Sequence, residues 1–209
     1  LDGVLALAGR KEVIVVDGGS RDDTVALART RPVRVLESAR GRAPQLNAGA
    51  AIAAGDVLLF LHADTTLPAD ALALVTRALD DPAAIAGAFR TWTVADPPDA
   101  PWFAPLLHLA DLRSRYTSLP YGDQAMFVRA EAFRQVGGFP AQPLMEDLEL
   151  SRRLRRRGRI VTVPARVRVS GRRFVARPLF HAVVMNTFPA LYRLGVSPDR
   201  LAKLYRSIR

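Results

Sequence analysis

The chain has 209 residues, no cysteine and a formal net charge of +10. This length is typical of one domain with a substantial core, and the lack of cysteine excludes disulfides and thiolate metal sites. No apolar run approaches the ~18 residues that a membrane-spanning helix needs. Because no signal-peptide pattern is present either, we expect a cytoplasmic protein.

The positive charge is concentrated in the second half of the chain. Residues 1–100 carry 10 basic and 13 acidic side chains, a net of −3, whereas residues 101–209 carry 20 and 7, a net of +13. A basic half indicates an anionic partner, such as phosphate groups, nucleic acid or an acidic membrane surface. A genomic bias toward arginine and alanine explains the composition equally well.

The first half alternates strands with helices. Apolar runs predict strands at residues 12–16, 33–36 and 57–61, the last buried on both faces. Apolar spacing and capping residues predict helices at residues 1–9, 22–31, 43–54 and 69–79. This alternation predicts an α/β fold with a mostly parallel, twisted sheet flanked by helices.

The second half is less regular. Strands are predicted at residues 84–94, 125–129, 160–163 and 166–169, the last two separated by Pro164. Helices are predicted at residues 102–115, 131–136, 145–157, 175–194 and 198–207. We expect a single domain over residues 1–209, because no repeat and no long linker interrupts it.

The strand at residues 57–61 ends in His62-Ala63-Asp64. In open α/β sheets, ligands bind beyond the carboxyl ends of the strands, so these side chains stand where such a fold places its chemistry. Asp64 could bind a divalent cation, which prefers oxygen ligands, or it could cap the turn before Pro68. His62 could be a metal ligand, a phosphate donor or a buried structural histidine.

Three other polar segments have two interpretations each. Asp17 and its two following glycines allow a close backbone approach to a ligand, or they form an ordinary strand–turn–helix connection in which Ser20 or Asp22 caps the helix. The segment 121–124 could contact a sugar or close a turn. Glu146 and Asp147 begin a helix, whose dipole favours acidic residues by ~0.3–1 kcal/mol. The same field would keep Asp147 ionised and able to act as a base.

Taken together and in order, these segments resemble the family 2 glycosyltransferases, which have the GT-A fold. The resemblance covers residues 12–158 and is carried by Asp17-Gly-Gly-Ser20, Asn47-Ala-Gly49, Gly55-Asp56, His62-Ala-Asp64, Gly137-Gly-Phe139 and Glu146-Asp147. His-Ala-Asp at 62–64 and Tyr-Gly-Asp-Gln at 121–124 are similar to a bacterial subgroup of small members. The resemblance divides the domain into a nucleotide-binding part (12–94), an acceptor part (95–170) and C-terminal helices (171–209).

The resemblance implies a role for each polar segment. The nucleotide of a nucleotide-sugar donor would be bound by Asp17, Gly18, Ser20, Arg40, Arg42 and Asn47. Mg²⁺ or Mn²⁺ on the donor diphosphate would be held by Asp64, with His62 in the other position of the family's Asp-x-Asp motif. Asp147, next to Glu146, would be the base of an inverting transfer. Gly122, Asp123 and Gln124 would contact the sugar or an acceptor of unknown identity, lipid-linked acceptors included.

Three departures from the family pattern are visible. Gly18 stands where many members have a second aspartate, and His62 replaces a carboxylate. The family's first strand has no counterpart before Leu1. We therefore expect roughly 20–30 additional N-terminal residues, enough for one strand and most of a helix.

Two alternatives belong to other classes. One is a nucleotidyltransferase on a related α/β fold. The other is a non-catalytic basic module, in which arginines near residues 166–177 and the apolar stretch 179–194 dock on an anionic membrane. Nucleic acid is not expected as a partner, because the basic segments lack interleaved aromatics and any recognisable motif. Peripheral membrane contact is also compatible with the glycosyltransferase hypothesis.

Overall fold

The computed structural model describes residues 1–95, 108, 111–112, 114–116, 119–172 and 178–208. The described strands are β1 (Ile14–Asp17), β2 (Arg34–Glu37), β3 (Val57–Leu59), β4 (Thr65–Thr66), β5 (Ala84–Val94), β6 (Phe127–Arg129) and β7 (Arg159–Ser170). The helices are α1 (Asp2–Leu5), α2 (Thr24–Arg29), α3 (Arg42–Ile52), α4 (Ala71–Ala78), α5 (Ala130–Gln135), α6 (Glu146–Arg155), α7 (Pro178–Arg193) and α8 (Pro198–Ile208). A 3₁₀ turn spans Gly122–Gln124. The helix predicted at residues 102–115 falls mostly outside the described residues.

The predicted α/β class with flanking helices is confirmed, but the sheet is mixed. β1 and β2 pair in parallel, and the other strands form a sheet in the order β3-β6-β5-β7-β4. In that sheet only the β5–β7 pair is parallel, while β6 is antiparallel to both its neighbours and β4 is antiparallel to β7. Most of the paired residues nevertheless lie in the two parallel ladders, β1–β2 and β5–β7.

Helix α3 lies over both sheets. Gly49 packs so closely on β1 that a Cβ there would stand 3.0 Å from a Val16 methyl carbon, and Ala43 shares an apolar cluster with Leu58 and Phe60. Among the described residues, β1 and β3 each have one edge without a strand partner. Val57 on β3 is accordingly 37% exposed, so this strand is not buried on both faces as expected.

The core lies on both faces of the five-stranded sheet. Met126 and Val128 pack into one buried cluster with side chains of α3, α5 and α6. Ala125 and Phe127 pack into a second cluster with side chains of α4. This alternation follows from the two-residue period of a strand. It fixes the segment at residues 121–129 between two helical layers.

Strand β7 is continuous through Pro164, so the predicted division into two strands was wrong. Its pairing with β5 shifts from Phe89–Val163 to Arg90–Arg166. A bulge therefore accommodates Pro164, which has no N–H to donate to a ladder.

Helix α7 packs beside α6, and Tyr205 of α8 packs on Phe180 and Phe188 of α7. The Tyr192 hydroxyl on α7 donates to a carboxylate oxygen of Glu149 on α6 at 3.1 Å. Arg193 donates to the Tyr121 hydroxyl at 3.4 Å. Of the helices described, none has the length and apolar character required to cross a bilayer.

Candidate active site

Two strained backbone positions frame the polar cleft. Ala125 (φ 47°) directly follows the 3₁₀ turn, and Met145 (φ 64°) directly precedes α6. They are the two non-glycine residues with positive φ in the described part of the chain. Such conformations cost roughly 1–3 kcal/mol each and cluster at functional sites. The segments on which this strain falls carry Gly122 and Asp147.

Asp147 lies in the first turn of α6 and is 8% exposed. Its Oδ2 accepts a hydrogen bond from the Gly122 N–H at 2.7 Å, and its Oδ1 accepts one from the Leu148 N–H at 2.7 Å. Both oxygens are therefore fixed by backbone donors. The carboxylate therefore has one orientation, toward the 3₁₀ turn. A general base needs such a defined orientation toward its substrate.

Gln124 holds the 3₁₀ turn in place. Its Oε1 accepts from the Tyr121 N–H and its Nε2 donates to the Phe89 carbonyl, both at 2.9 Å. The side chain is 2% exposed. Burial places it out of reach of a sugar, so we replace the predicted substrate contact of Gln124 by a structural role.

His62 and Asp147 face each other across Gly122. A Cβ at position 122 would stand 3.1 Å from the His62 Nε2 and 3.2 Å from the Asp147 Oδ2. A methyl group there would be in unusually tight contact with both side chains, so they would have to move by a few tenths of an ångström to accept it. The residue predicted to bind metal and the residue predicted to act as a base therefore share one cleft.

The charges around His62 come from four separate segments. Burial lowers the pKa of His62 most, and the Arg42 guanidinium lowers it further, while Asp123, Asp64 and Asp147 partly offset this. The imidazole is consequently neutral near pH 7, the form in which it binds metals. Arg42 and the three carboxylates therefore lie close enough to His62 to influence its charge, and Asp17 is not among them.

The lowered pKa of His62 predicts a loss of stability in mild acid. The unfolded chain binds a proton at His62 more readily than the folded chain does, because the folded pKa lies below the ordinary value of 6.5. The free energy of unfolding therefore has its full contribution from neutral His62 above pH 6.5, and this contribution falls as the pH drops below 6.5. In urea titrations from pH 8 to pH 5, His62→Gln should show a shallower decline than the wild type. Equal slopes would contradict the assigned environment.

Glu146 is paired with Arg42. The Glu146 Oε1 lies 3.0 Å from the Arg42 Nε, and the Glu146 side chain is 3% exposed whereas that of Arg42 is 50% exposed. Burial raises the pKa of Glu146, Arg42 opposes this shift and Asp147 adds to it. Glu146 is therefore placed to hold Arg42, and Asp147 is the carboxylate that contacts Gly122 and faces His62.

Asp17 ends β1 but is engaged in its own turn. Its carboxylate accepts the N–H groups of Gly19 (2.7 Å) and Ser20 (2.9 Å) and the Ser20 hydroxyl. These bonds, with the Ser20 hydroxyl as the largest cause, lower the pKa of Asp17. These contacts form an ordinary turn after β1, but Ser20 does not cap α2, because its hydroxyl is bound to Asp17. The Asp22 carboxylate accepts the N–H of Thr24, the first residue of α2. A base contact by Asp17 stays a prediction.

Gln45, which the sequence analysis missed, connects this turn to α3. Its Nε2 donates to the Val16 carbonyl at 3.0 Å, and a Cβ on Gly18 would stand 2.8 Å from its side chain. Gln45 follows Arg42 by three positions on one helical face, a spacing that could have drawn attention to it. Arg40 is exposed in the preceding loop and makes no hydrogen bond or ion pair with the described residues.

Asn47, predicted to bind nucleotide, contacts a different part of the chain. Both polar atoms of its side chain are hydrogen-bonded to the backbone of Phe139. The prediction could not foresee this contact, because the partners are 92 positions apart. We therefore remove Asn47 from the nucleotide contacts.

Asp64 lies beside Arg172, one of the arginines near residues 166–177 that the sequence suggested for membrane docking. Its Oδ2 is 4.0 Å from the guanidinium of Arg172, and its side chain is 20% exposed. Arg172 follows Gly171, whose N–H donates to the Val94 carbonyl at 2.7 Å at the end of β7. The end of β7 thus places the positive charge of Arg172 beside Asp64.

The residues present fit a divalent cation that is shared with a substrate. Within the described ranges no group of three or more ligating side chains could hold a metal by itself. Asp64 offers an oxygen ligand and His62 a neutral nitrogen. Mg²⁺-type ions commonly use one or two protein carboxylates and complete their shell with waters and substrate phosphates. This donor set suits a cation bound together with a diphosphate.

This fold and this site define the class of the protein. It is an α/β domain of GT-A type, with its acidic cleft beyond the ends of strands. The sequence matches the family described as Glycosyl transferase family 2 over residues 1–137, about two thirds of the chain. The chain therefore belongs to glycosyl transferase family 2. Among curated proteins, none matches it.

Two solved structures illustrate the similarity of this chain to proteins that bind nucleotide sugars. The mannosyltransferase PcManGT from Pyrobaculum calidifontis, in complex with GDP-Man and Mn²⁺, is 23% identical with a TM-score of 0.71 over 95% of this chain. TarS 1–349 from S. aureus, in complex with UDP-GlcNAc, is 18% identical with a TM-score of 0.62 over 82% of it. The chain spans 60% and 53% of those two chains. At these identities the likeness establishes the fold.

Proposed function

We propose that this chain is an inverting glycosyltransferase, which moves a sugar from a nucleotide-sugar donor to an acceptor hydroxyl with Mg²⁺ or Mn²⁺. The observation that carries the proposal is that His62 and Asp147 meet at Gly122, 3.1 and 3.2 Å from the site of a Cβ there, with Asp64 and Arg42 close enough to influence the charge of His62. Family membership, and the GDP-Man and UDP-GlcNAc in the titles of the two similar structures, support a nucleotide-sugar donor. They also favour sugar transfer over the nucleotidyltransferase alternative.

In this proposal Asp147 takes the proton of the attacking hydroxyl. Its Oδ2 already accepts the Gly122 N–H, and a carboxylate oxygen has a second lone pair for the hydroxyl. The two backbone donors hold the carboxylate in one orientation, so little reorganisation is needed when the acceptor arrives. Glu146 holds Arg42 at the rim of the same cleft.

The opposite side of the cleft would receive the donor diphosphate. Asp64 and His62 would hold the divalent cation, which supplies charge neutralisation for the departing nucleoside diphosphate. Arg172, 4.0 Å from Asp64, and Arg42 add fixed positive charge on this side. Charges that are already oriented in the folded protein stabilise a developing anion without reorganisation.

A donor panel tests the proposed function. UDP- and GDP-linked hexoses and N-acetylhexosamines are incubated with the protein and Mn²⁺, and the release of nucleoside diphosphate is measured with and without EDTA. We expect release from at least one donor, abolished by EDTA. In a parallel incubation with a nucleoside triphosphate and a sugar 1-phosphate, release of pyrophosphate would support the nucleotidyltransferase alternative. That result, or no release of nucleoside diphosphate from any donor, would contradict the proposal.

We also propose peripheral contact with an anionic membrane, as access to a lipid-linked acceptor would require. Leu179, Val183 and Leu194 are 61%, 57% and 83% exposed, and their spacing places them on one face of α7 and its C-terminal extension. Arg193 and Arg200 are exposed nearby. Apolar side chains flanked by arginine are typical of a surface that rests on acidic lipid.

Vesicle binding tests this contact. The protein should co-sediment with phosphatidylglycerol-containing vesicles and only weakly with phosphatidylcholine alone, and salt should reduce binding. Leu179→Glu should weaken binding roughly tenfold or more, since one buried leucine contributes ~1.5–3 kcal/mol. Leu27→Glu is the matched control, because Leu27 is 64% exposed on α2. Equal binding of both variants would exclude α7 as the membrane surface.

A further inference from the structure

One asparagine side chain satisfies both backbone groups of a distant residue. The Asn47 Nδ2 donates to the Phe139 carbonyl at 2.8 Å, and the Phe139 N–H donates to the Asn47 Oδ1 at 2.9 Å. Asn47 thereby pairs with Phe139 as a neighbouring strand would. A backbone group left unpaired at a buried position costs ~1–3 kcal/mol, so this contact fixes the chain at residue 139.

The surroundings of Phe139 leave the contact little freedom. Phe139 is 4% exposed, and its ring packs edge-on against Phe60 (4.9 Å between centroids) and Phe133 (5.6 Å). Gly138 adopts φ +68°, and a Cβ there would stand 2.7 Å from the Asn47 Oδ1. The glycine turn is therefore required for Asn47 to reach the backbone behind it.

The same helix contacts the other end of the segment. Arg42 on α3 pairs with Glu146 at 3.0 Å, immediately before Asp147. Gln45, between Arg42 and Asn47 on α3, donates to the Val16 carbonyl beside the Asp17 turn at 3.0 Å. Helix α3 thus contacts the turn at the end of β1 and both ends of the segment 139–146.

We propose that Asn47 is a positioning residue for Asp147. Asn47 and Arg42 anchor the two ends of the segment 139–146 to α3. The same helix contacts the Asp17 turn through Gln45. The proposal rests on the proposed function only in taking Asp147 as the base. Both polar atoms of Asn47 are engaged with Phe139, so its effect on the reaction is exerted through the position of α6 and not through the substrate.

A positioning role predicts a specific kinetic pattern. Loss of the contact lets the segment 139–146 shift, and a displacement of about 1 Å at a reacting group costs up to about 100-fold in rate. The Asp17 turn, on the proposed donor side, keeps its own contact with α3 through Gln45. Asn47→Ala should therefore lower kcat for nucleoside diphosphate release by roughly 10- to 100-fold and leave the donor KM within about twofold.

Asn47→Asp separates positioning from general destabilisation. Aspartate still accepts the Phe139 N–H but no longer donates to the Phe139 carbonyl. The expected order of kcat is wild type, then Asn47→Asp, then Asn47→Ala. Gln135→Ala is the matched control, because Gln135 is an exposed amide with one side-chain bond, to Glu131, near the same glycine turn. It should retain wild-type kcat.

Hydrogen exchange tests the contact independently of activity. In Asn47→Ala, the amides of residues 138–147 should exchange at least tenfold faster, with those of β2 unchanged. If the wild type releases no nucleoside diphosphate from any donor, the proposed function fails, and exchange alone decides on the anchoring by Asn47. Unchanged exchange at residues 138–147, or a wild-type kcat in an active protein, would overturn the inference. If Asn47→Ala does not fold, Asn47→Asp supplies the same two readouts.

Discussion

Asp147→Asn should lower kcat by about 10²–10⁴-fold, the range that positioned general bases contribute. Asparagine has the same size, and its carbonyl oxygen can still accept the Gly122 N–H. Its amide cannot take a proton from an acceptor hydroxyl. Donor binding should change little, because in the proposed mechanism Asp147 contacts the acceptor hydroxyl and not the donor. The measurement is nucleoside diphosphate release at saturating donor and Mn²⁺.

Asp199→Asn is the matched control for this variant. Asp199 is also an acidic residue in the first turn of a helix, α8, but it is exposed. It should retain wild-type kcat. Wild-type turnover in Asp147→Asn would show that another group accepts the proton, and the assignment of the base would then be wrong.

Asp64→Asn should reduce kcat/KM by on the order of 10²–10³-fold, comparable to the loss of one main stabilising group for a developing anion. An amide is a weaker ligand for Mg²⁺ or Mn²⁺ than a carboxylate. Half-maximal activity should therefore require more Mn²⁺. A second readout needs no turnover: the rise in melting temperature that GDP or UDP gives together with Mn²⁺ should be reduced.

Asp70→Asn controls for the loss of a negative charge near the same loop. Asp70 precedes α4, is exposed and makes no side-chain capping bond. Its Mn²⁺ response should equal that of the wild type. An unchanged Mn²⁺ response in Asp64→Asn would remove Asp64 from the cation site and leave Arg172 and Arg42 as the charges facing the diphosphate.

The elements that depend on local pattern could be predicted from the sequence. The apolar run before His62 gave β3, and the acidic start and basic end of residues 146–155 gave α6. These predictions succeed because helix dipoles, caps and apolar periodicity act over a few residues. The order of the motifs likewise gave the family, which the match over residues 1–137 confirms.

The features that depend on distant partners could not be predicted. The sequence shows that Asn47 and Gln124 are polar, but not that each is satisfied by the backbone of another segment. Strand direction in the β6 pairs follows from how the chain enters the sheet, and not from the residues of β6. Polar residues that support a fold and polar residues that bind a substrate have the same local sequence signature.

His62 shows where sequence and structure complement each other. As the residue in the place of a carboxylate, it was the doubtful member of the predicted metal pair. Its burial, its lowered pKa and its position 3.1 Å from the Cβ site of Gly122 place it at the centre of the cleft. Its binding to the cation stays a prediction, which Mn²⁺ titration of His62→Gln by calorimetry in the presence of GDP or UDP would test. Unchanged affinity would exclude it as a ligand.

The anomeric configuration of the released sugar tests the inverting role of Asp147 most directly, and it requires no knowledge of the acceptor. With water as the acceptor, an α-linked nucleotide sugar is hydrolysed and the product is observed by proton NMR before mutarotation. An attack assisted by one carboxylate, from the face opposite the leaving diphosphate, gives the β anomer first, and Asp147→Asn slows its appearance. Initial formation of the α anomer would contradict the mechanism.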